Sequence, residues 1–381
     1  MIDRRSLVRG GLSTLALAGF CPRIAFAAAP TARRFVFIIQ RGAADGLHIV
    51  PPLGDPGFEA LRGGFLPSLA NATKLDDVFS LHPALARTAQ LFGARQALAV
   101  HAVASSYRDR SHFDGQNILE TGGLLPYAER SGWMNRLIAL LPPDDNRALA
   151  YAPDVPMALR GGQPVSSYAP SHLTGPSTDL MSRVSQLYAA DPQLHELWES
   201  FVATRRLAGE DGAAARPNEA AETGRVAAAM LSAPEGVRLM MIETGGWDTH
   251  SGQTGRLGAQ LRNLDQMIGA LADGLGPVWR ETLVLVATEF GRTAAINGTQ
   301  GTDHGTGSVA LLLGGGLNGG PVPADWPGLA PGSLLDGRDL RPTGSLEAMT
   351  PGAVARHFGL EPGATARALY PAHVGLAPVS V

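Results

Sequence analysis

Five short segments concentrate residue types that bind cations or move protons. They are Gln40-Arg-Gly-Ala-Ala-Asp45-Gly, Ser111-His-Phe-Asp-Gly-Gln116, Gly245-Gly-Trp-Asp-Thr-His250, Thr288-Glu-Phe-Gly-Arg-Thr293 and Thr302-Asp-His-Gly-Thr-Gly307. Asp45, Asp248, His250, Glu289, Asp303 and His304 form a mixed set of oxygen and nitrogen donors. Such a set suits one or two Zn, Mn, Ca or Mg ions rather than a soft metal. These ions would polarise a phosphate or sulfate ester and activate a hydroxyl nucleophile. Ser111 is the candidate nucleophile, because it stands where it would cap a helix and face its positive end. Arg41, Arg110 and Arg292 are candidates to stabilise the equatorial oxygens of a transition state.

Each segment also has a plainer reading. Asp45-Gly46 reads as a turn, Asp248-Thr-His250 as a helix cap, Asp303-His304 as a polar loop, and Glu289 as a partner of Arg292. Their common placement favours chemistry, since each lies at a loop bordering an expected strand. The apolar runs 35–39, 97–103, 237–242, 282–287 and 309–313 read as strands buried on both faces of a sheet. In open α/β sheets, ligands sit at the carboxyl ends of such strands. Between the third and fourth runs, Leu257, Leu261, Leu264, Ile268, Leu271 and Leu275 recur at intervals of four and three. This is one apolar helical stripe, stopped by Gly274 and Gly276-Pro277. Strand, helix and strand at this spacing make a βαβ unit. The fold class is therefore α/β, a mostly parallel sheet sandwiched by helices. Pro83–Phe92 and Ser111–Thr121 also read as helices. Ser177–Tyr188 and Asp191–Leu207 do too, and Gly209–Pro217 reads as a weak linker. Residues 122–235 are expected to form a mainly helical insertion or cap.

The first 27 residues read as a signal peptide: Arg4-Arg5, an apolar run over 10–20, and Ala25-Phe-Ala27 as a cleavage signature. The arginine pair and the late Arg23 indicate the twin-arginine route, so the translocase is the expected partner during export. Phe20 before Cys21 does not fit a lipidation site. Cleavage after Ala27 would remove the single cysteine, and with it any disulfide or thiolate metal site. Residues 28–381 then form one α/β domain, periplasmic or secreted, with no stable membrane insertion. A net charge of −3 argues against a nucleic-acid binder. Gly314-Gly-Gly-Leu-Asn-Gly319 fits a dinucleotide pattern, but Gly320-Pro-Val-Pro323 cannot open the helix that pattern requires. There is no G-x-S-x-G, P-loop or H-E-x-x-H motif.

The five segments, in this order, resemble the exported bacterial family called domain of unknown function 1501. That family looks like a distant branch of the alkaline phosphatase and sulfatase superfamily. The resemblance implies an alkaline phosphatase-like fold, usually with two metals and a Ser, Thr or formylglycine nucleophile. It places Asp45 on one metal and Ser111 at the nucleophile's position. Asp248 and His250 fall where an Asp and a His usually bind the other metal, and His304 resembles the late metal-binding histidine. The sequence departs at Glu289-Phe290, where the superfamily usually has Asp-His, and Phe290 cannot bind a metal. Asp303 or His112 is a possible replacement. No Cys-x-Pro-x-Arg is present, which excludes a formylglycine sulfatase. The first expectation is an exported metal-dependent hydrolase acting on a small-molecule or polymer ester. Its rival is a non-catalytic exported protein that binds a polymer or partner in the same cleft. A lyase or transferase on the same scaffold is the third reading.

Overall fold

The side chains of the first strand alternate between two separate cores. Val36 and Ile38 pack with Leu257, Leu261, Leu264 and Ile268 on one face of a sheet. Phe35, Phe37 and Ile39 pack with Trp133, Val354 and Leu369 on the other. A strand that is apolar at every position is thus covered on both sides, as expected for a parallel sheet between helices. This is seen in a computed structural model that describes residues 32–143, 147–170, 178–189, 191–214, 220–320, 322 and 325–379. The leader expected at 1–27 lies outside the described residues.

The strands are β1 (Arg34–Gln40), β2 (Thr73–Lys74), β3 (Ser80–Leu81), β4 (Ala97–Ala104), β5 (Ala148–Tyr151), β6 (Ser166–Tyr168), β7 (Leu239–Thr244), β8 (Thr282–Ala287), β9 (Ser308–Leu313) and β10 (Gly344–Ser345). Eight form the main sheet in the order β10-β4-β9-β8-β1-β7-β5-β6, and β2 with β3 makes a small ribbon. The helices are α1 (Gly46–Ile49), α2 (Phe58–Arg62), α3 (Ala86–Gly93), α4 (His112–Thr121), α5 (Trp133–Ile138), α6 (Thr178–Tyr188), α7 (Pro192–Ala214), α8 (Ala220–Ser232), α9 (Gln253–Leu275), α10 (Leu346–Phe358) and α11 (Pro362–Leu369).

The α/β reading with a mostly parallel sheet holds. β1 pairs in parallel with β7 and β8, and β5 in parallel with β6 and β7. β9 is the exception, antiparallel to both β4 and β8. The chain between β8 and β9 has no crossover helix, so it re-enters the sheet in the opposite direction. The leucine stripe forms α9, ended by Gly276 at φ 51°. Among the described residues, no helix follows Gly314–Gly319, against the dinucleotide pattern.

Two expectations change in the middle of the chain. Residues 122–235 are not only helical, because β5 and β6 extend the main sheet beyond β7. Their sequences, Ala-Leu-Ala-Tyr and Ser-Ser-Tyr, are too short and mixed to show a period. The expected linker at 209–217 is helical up to Ala214, and 215–219 lie outside the described residues. Among the described residues, no helix is long and apolar enough to cross a membrane.

Three histidines are buried beneath the β1 loop. Burial pushes His48 down to about 3, and His82 and His101 down to about 4, from the usual 6.5. The unfolded chain takes up these protons near pH 6.5 and the folded chain does not. Their contribution is therefore fully present above that pH and is lost as the pH falls toward 4. Urea midpoints should fall steadily between about pH 7.5 and pH 4.5; a flat profile would contradict this burial.

Candidate metal centre

Four side chains from three loops meet at the carboxyl ends of the strands. Asp248 and His250 follow β7, His112 opens α4 after β4, and His304 precedes β9. Ligand atoms of His112, Asp248 and His304 lie within 4.8 Å of one another. His250 Nε2 is 3.0 Å from both Asp248 Oδ1 and His304 Nε2. His304 Nε2 is 3.3 Å from Asp248 Oδ1, and His112 Nε2 is 3.5 Å from Asp248 Oδ2.

The other ring nitrogens decide what faces the centre. His112 Nδ1 is 2.8 Å from Glu289 Oε1, and His250 Nδ1 is 3.1 Å from Asp303 Oδ1. His304 Nδ1 is 2.9 Å from the Arg110 carbonyl oxygen. All three partners only accept hydrogen bonds, so each neutral ring carries its proton on Nδ1. Each Nε2 then turns a lone pair toward Asp248. His112 Nε2 is buried with no hydrogen-bond partner. Lone pairs this close to one another and to a carboxylate repel unless a cation lies between them. Two nitrogens on a tetrahedral zinc are about 3.3 Å apart, given Zn–N bonds of about 2.0–2.1 Å. The 3.0 Å between His250 Nε2 and His304 Nε2 is close to that value, and the ligand atoms of His112, Asp248 and His304 lie within 4.8 Å, so the donor set fits a divalent metal.

A second layer holds these ligands. Buried Arg292 donates from Nη1 to Asp248 Oδ1 at 2.7 Å and from Nη2 to the Thr302 carbonyl at 2.8 Å. An isolated antiparallel bridge sets Arg292 beside His304. Burial pushes the Asp248 carboxyl up, but Arg292 and the histidines outweigh it and hold the group below its usual range. Glu289 is completely buried. Its Oε1 accepts from the Gly42 and Ala43 N–H groups at 2.8 and 3.1 Å and from Gln116 Nε2 at 3.1 Å. Burial raises this carboxyl too, yet these donors and His112 bring it below its usual value. The hydrogen bond to Glu289 in turn raises the His112 imidazole. Gly42 has φ 117°, and a Cβ there would lie 2.6 Å from the Asp248 backbone nitrogen. Only glycine lets the β1 loop pass this close to the metal loop.

The sequence-derived site residues fall into three groups. Asp248, His250 and His304 come within hydrogen-bond distance of one another. Asp303 and Glu289 stand one layer back and orient His250 and His112. Glu289 Oε1 meets the His112 ring and the Gly42 and Ala43 N–H groups, and Asp303 Oδ1 meets the His250 ring and Asn297 Nδ2. Asp45 does not join the cluster. Its Oδ2 accepts from Arg62 Nη1 at 2.6 Å and from Gln253 Nε2 at 2.5 Å, and both partners are buried. Burial pushes Asp45 up, and Arg62 more than compensates. A guanidinium thus holds the carboxylate expected on a second metal, and Phe290 stacks on His112 with ring centroids 5.1 Å apart. A two-metal centre does not fit this arrangement.

The expected catalytic arginines are likewise engaged elsewhere. The Arg110 guanidinium holds buried Asp339 at 2.8 Å, while its carbonyl orients His304. Arg292 is fixed on Asp248, and Arg41 pairs with Glu120 at 2.8 Å and with Glu243. Ser111 is half-buried, N-terminal to α4 and next to His112, and its side chain makes no capping bond. His112, offered by the sequence as a replacement beside Asp303, lies with Asp248 and His304 in the group that could hold a metal.

The chain matches the family model described as "protein of unknown function (DUF1501)" over residues 120–363. More than half of the chain is covered, and the protein belongs to this family. A search of curated proteins finds no match. Among solved structures, the chain is similar to PH0037 protein from Pyrococcus horikoshii. That likeness has 12% identity and a TM-score of 0.34, covering 76% of this chain and 87% of that one. It is also similar to phosphonate monoester hydrolase of Agrobacterium radiobacter. There the identity is 12% and the TM-score 0.32, covering 87% of this chain and 84% of that one. Scores this low carry no argument about function.

Metal content tests the ligand assignment. The purified protein should hold one equivalent of a divalent metal, and Asp248→Ala or His304→Ala should lose it. Asp303→Ala, which removes only the orienting acceptor, should weaken affinity by about 10–100-fold. Unchanged metal content in both Asp248→Ala and His304→Ala would contradict the assignment.

Proposed function

We propose that this protein is an exported, metal-dependent hydrolase of phosphate or sulfate esters with an alkaline phosphatase-like site reduced to one metal. The observation that carries this reading is the convergence of three imidazole Nε2 atoms and one carboxylate at the strand ends. Asp248, His250, His304 and His112 would hold the ion. Bound there, a divalent metal supplies Lewis-acid polarisation of an ester oxygen. Ser111 lies beside His112 at the amino end of α4. The helix dipole there favours an alkoxide and a developing negative charge. Glu289 keeps the His112 ring fixed and ties it to the β1 loop. Export rests on the leader sequence, with its Arg4-Arg5 pair and Ala-x-Ala site. The expected partner of that leader is the twin-arginine translocase.

A second reading also has an observation behind it. Arg62 neutralises Asp45, and Phe290 replaces a ligand. A protein that retained one metal only to shape a binding cleft would look the same.

Turnover separates the two. The zinc- or manganese-loaded protein should hydrolyse p-nitrophenyl phosphate or p-nitrophenyl sulfate. Ser111→Ala should lower kcat by roughly three orders of magnitude while metal content stays at one equivalent. Full metal occupancy without turnover of either ester would support the binding reading. Equal turnover by Ser111→Ala would remove Ser111 as nucleophile.

A further inference from the structure

Large apolar side chains stand in solvent along α4, the helix that begins at the candidate metal centre. Phe113 directly follows His112, two residues after Ser111, and is 81% exposed. Leu124, Leu125 and Tyr127, in the turn after α4, are each more than half exposed. The helix meets the core through other residues, since Ile118 and Leu119 are buried. An exposed apolar group of this kind beside a candidate site marks a binding surface.

The turn is held so that it presents these groups. Gly122, at φ 65°, reverses the chain at the end of α4. The Tyr127 N–H donates to Asn117 Oδ1 at 2.7 Å, and the Tyr127 hydroxyl hydrogen-bonds Asp114. Its ring therefore lies lengthwise on α4 with the hydroxyl toward the amino end. Tyr127 has φ 63°, a costly conformation for a bulky residue, and such strain gathers at binding sites. Asp114 also accepts from Tyr107 Oη at 3.4 Å, and that hydroxyl accepts from the Ser111 N–H at 3.1 Å. The apolar ridge is thus tied to the residue proposed as nucleophile.

The length of the ridge selects the ligand. α4 has 10 residues and is therefore about 15 Å long. Phe113 stands at its amino end beside His112, Tyr127 lies along Asp114 to Asn117, and Leu124 and Leu125 stand past its carboxyl end. A small compact group held at the metal would reach Phe113 and leave the two leucines untouched. A long alkyl chain whose charged end sits at Asp248 would follow the whole ridge, and each methylene covered would leave water. We propose that the ridge is the subsite for a long alkyl chain, the alcohol portion of the phosphate or sulfate ester. The link to an ester rests on the hydrolase reading. The ridge's preference for alkyl chains is measurable without turnover.

Calorimetry on the zinc-loaded protein tests the assignment with methyl-, butyl- and octylphosphonate, whose carbon–phosphorus bond an ester hydrolase leaves intact. Octylphosphonate should bind about tenfold tighter than methylphosphonate or better, with butylphosphonate between them. Phe113→Ser and Leu125→Ser change exposed positions, and each should cut that ratio by roughly threefold or more with zinc content unchanged. A parent ratio near one, a ratio kept by both variants, or binding of none of these phosphonates would overturn the proposal. Adsorption to phosphatidylcholine–phosphatidylglycerol vesicles that both variants lose, with no chain-length dependence for the soluble phosphonates, would also overturn it and make the ridge a membrane-docking surface. Hydrolysis of p-nitrophenyl phosphate with no gain from chain length would remove the subsite and leave the hydrolase reading. Chain-dependent binding by a protein that turns over no ester would retire the hydrolase reading and keep the subsite.

Discussion

A neutral imidazole has one N–H and one lone pair, and fixing the first aims the second. His112, His250 and His304 are each fixed in this way, by Glu289, Asp303 and the Arg110 carbonyl. Everything else at the site serves those three bonds. Arg110 reaches its position with φ 61°, an unusual conformation for a residue with a side chain. Its guanidinium is anchored on buried Asp339, which also accepts from Thr306 Oγ1 at 2.8 Å. Glu289 has a second task, since it gathers the Gly42 and Ala43 N–H groups and so ties the end of β1 to the end of β8. The sheet brings the loops together, and these acceptors turn proximity into coordination geometry.

Two buried guanidiniums divide the carboxylates between structure and chemistry. Arg62 takes Asp45 wholly out of the site and spends its remaining donors on the Ala294 and Thr293 carbonyls. Arg292 shares Asp248 with the histidines and leaves Oδ2 toward His112. A buried charge left without a partner is strongly destabilising, so neither arginine is free to leave. Gln253 joins the two halves, donating to Asp45 and accepting from Thr249 and Thr302. This network explains why the residues after β1 look like ligands in sequence and act as scaffold in space.

Much of the fold was legible because its signals were strong. β1, β4, β8 and β9 are mostly apolar runs, and α9 has an uninterrupted apolar stripe ended by a glycine at positive φ. β5 and β6 were not legible, since three or four mixed residues carry no period. The direction of β9 depends on the absence of a crossover helix, a tertiary fact that the strand itself does not encode. At the site, the closeness of Asp248, His250 and His304 was foreshadowed by their place at strand ends. Asp45 and Glu289 have the same residue type but different partners. Which carboxylate joins the histidine cluster and which accepts a guanidinium or an N–H is set by residues distant in sequence, such as Arg62 for Asp45 and His112 for Glu289. Sequence proximity carries none of that information.

The account stands on the protonation pattern of three rings, and long-range proton–nitrogen correlation spectra of the histidines read that pattern directly. At neutral pH, His112, His250 and His304 should each carry the proton on Nδ1. Adding zinc should shift all three Nε2 resonances and leave the buried His101 unchanged. Protons on Nε2 in two or more of these rings, or zinc addition that moves none of them, would contradict a metal centre built on Asp248.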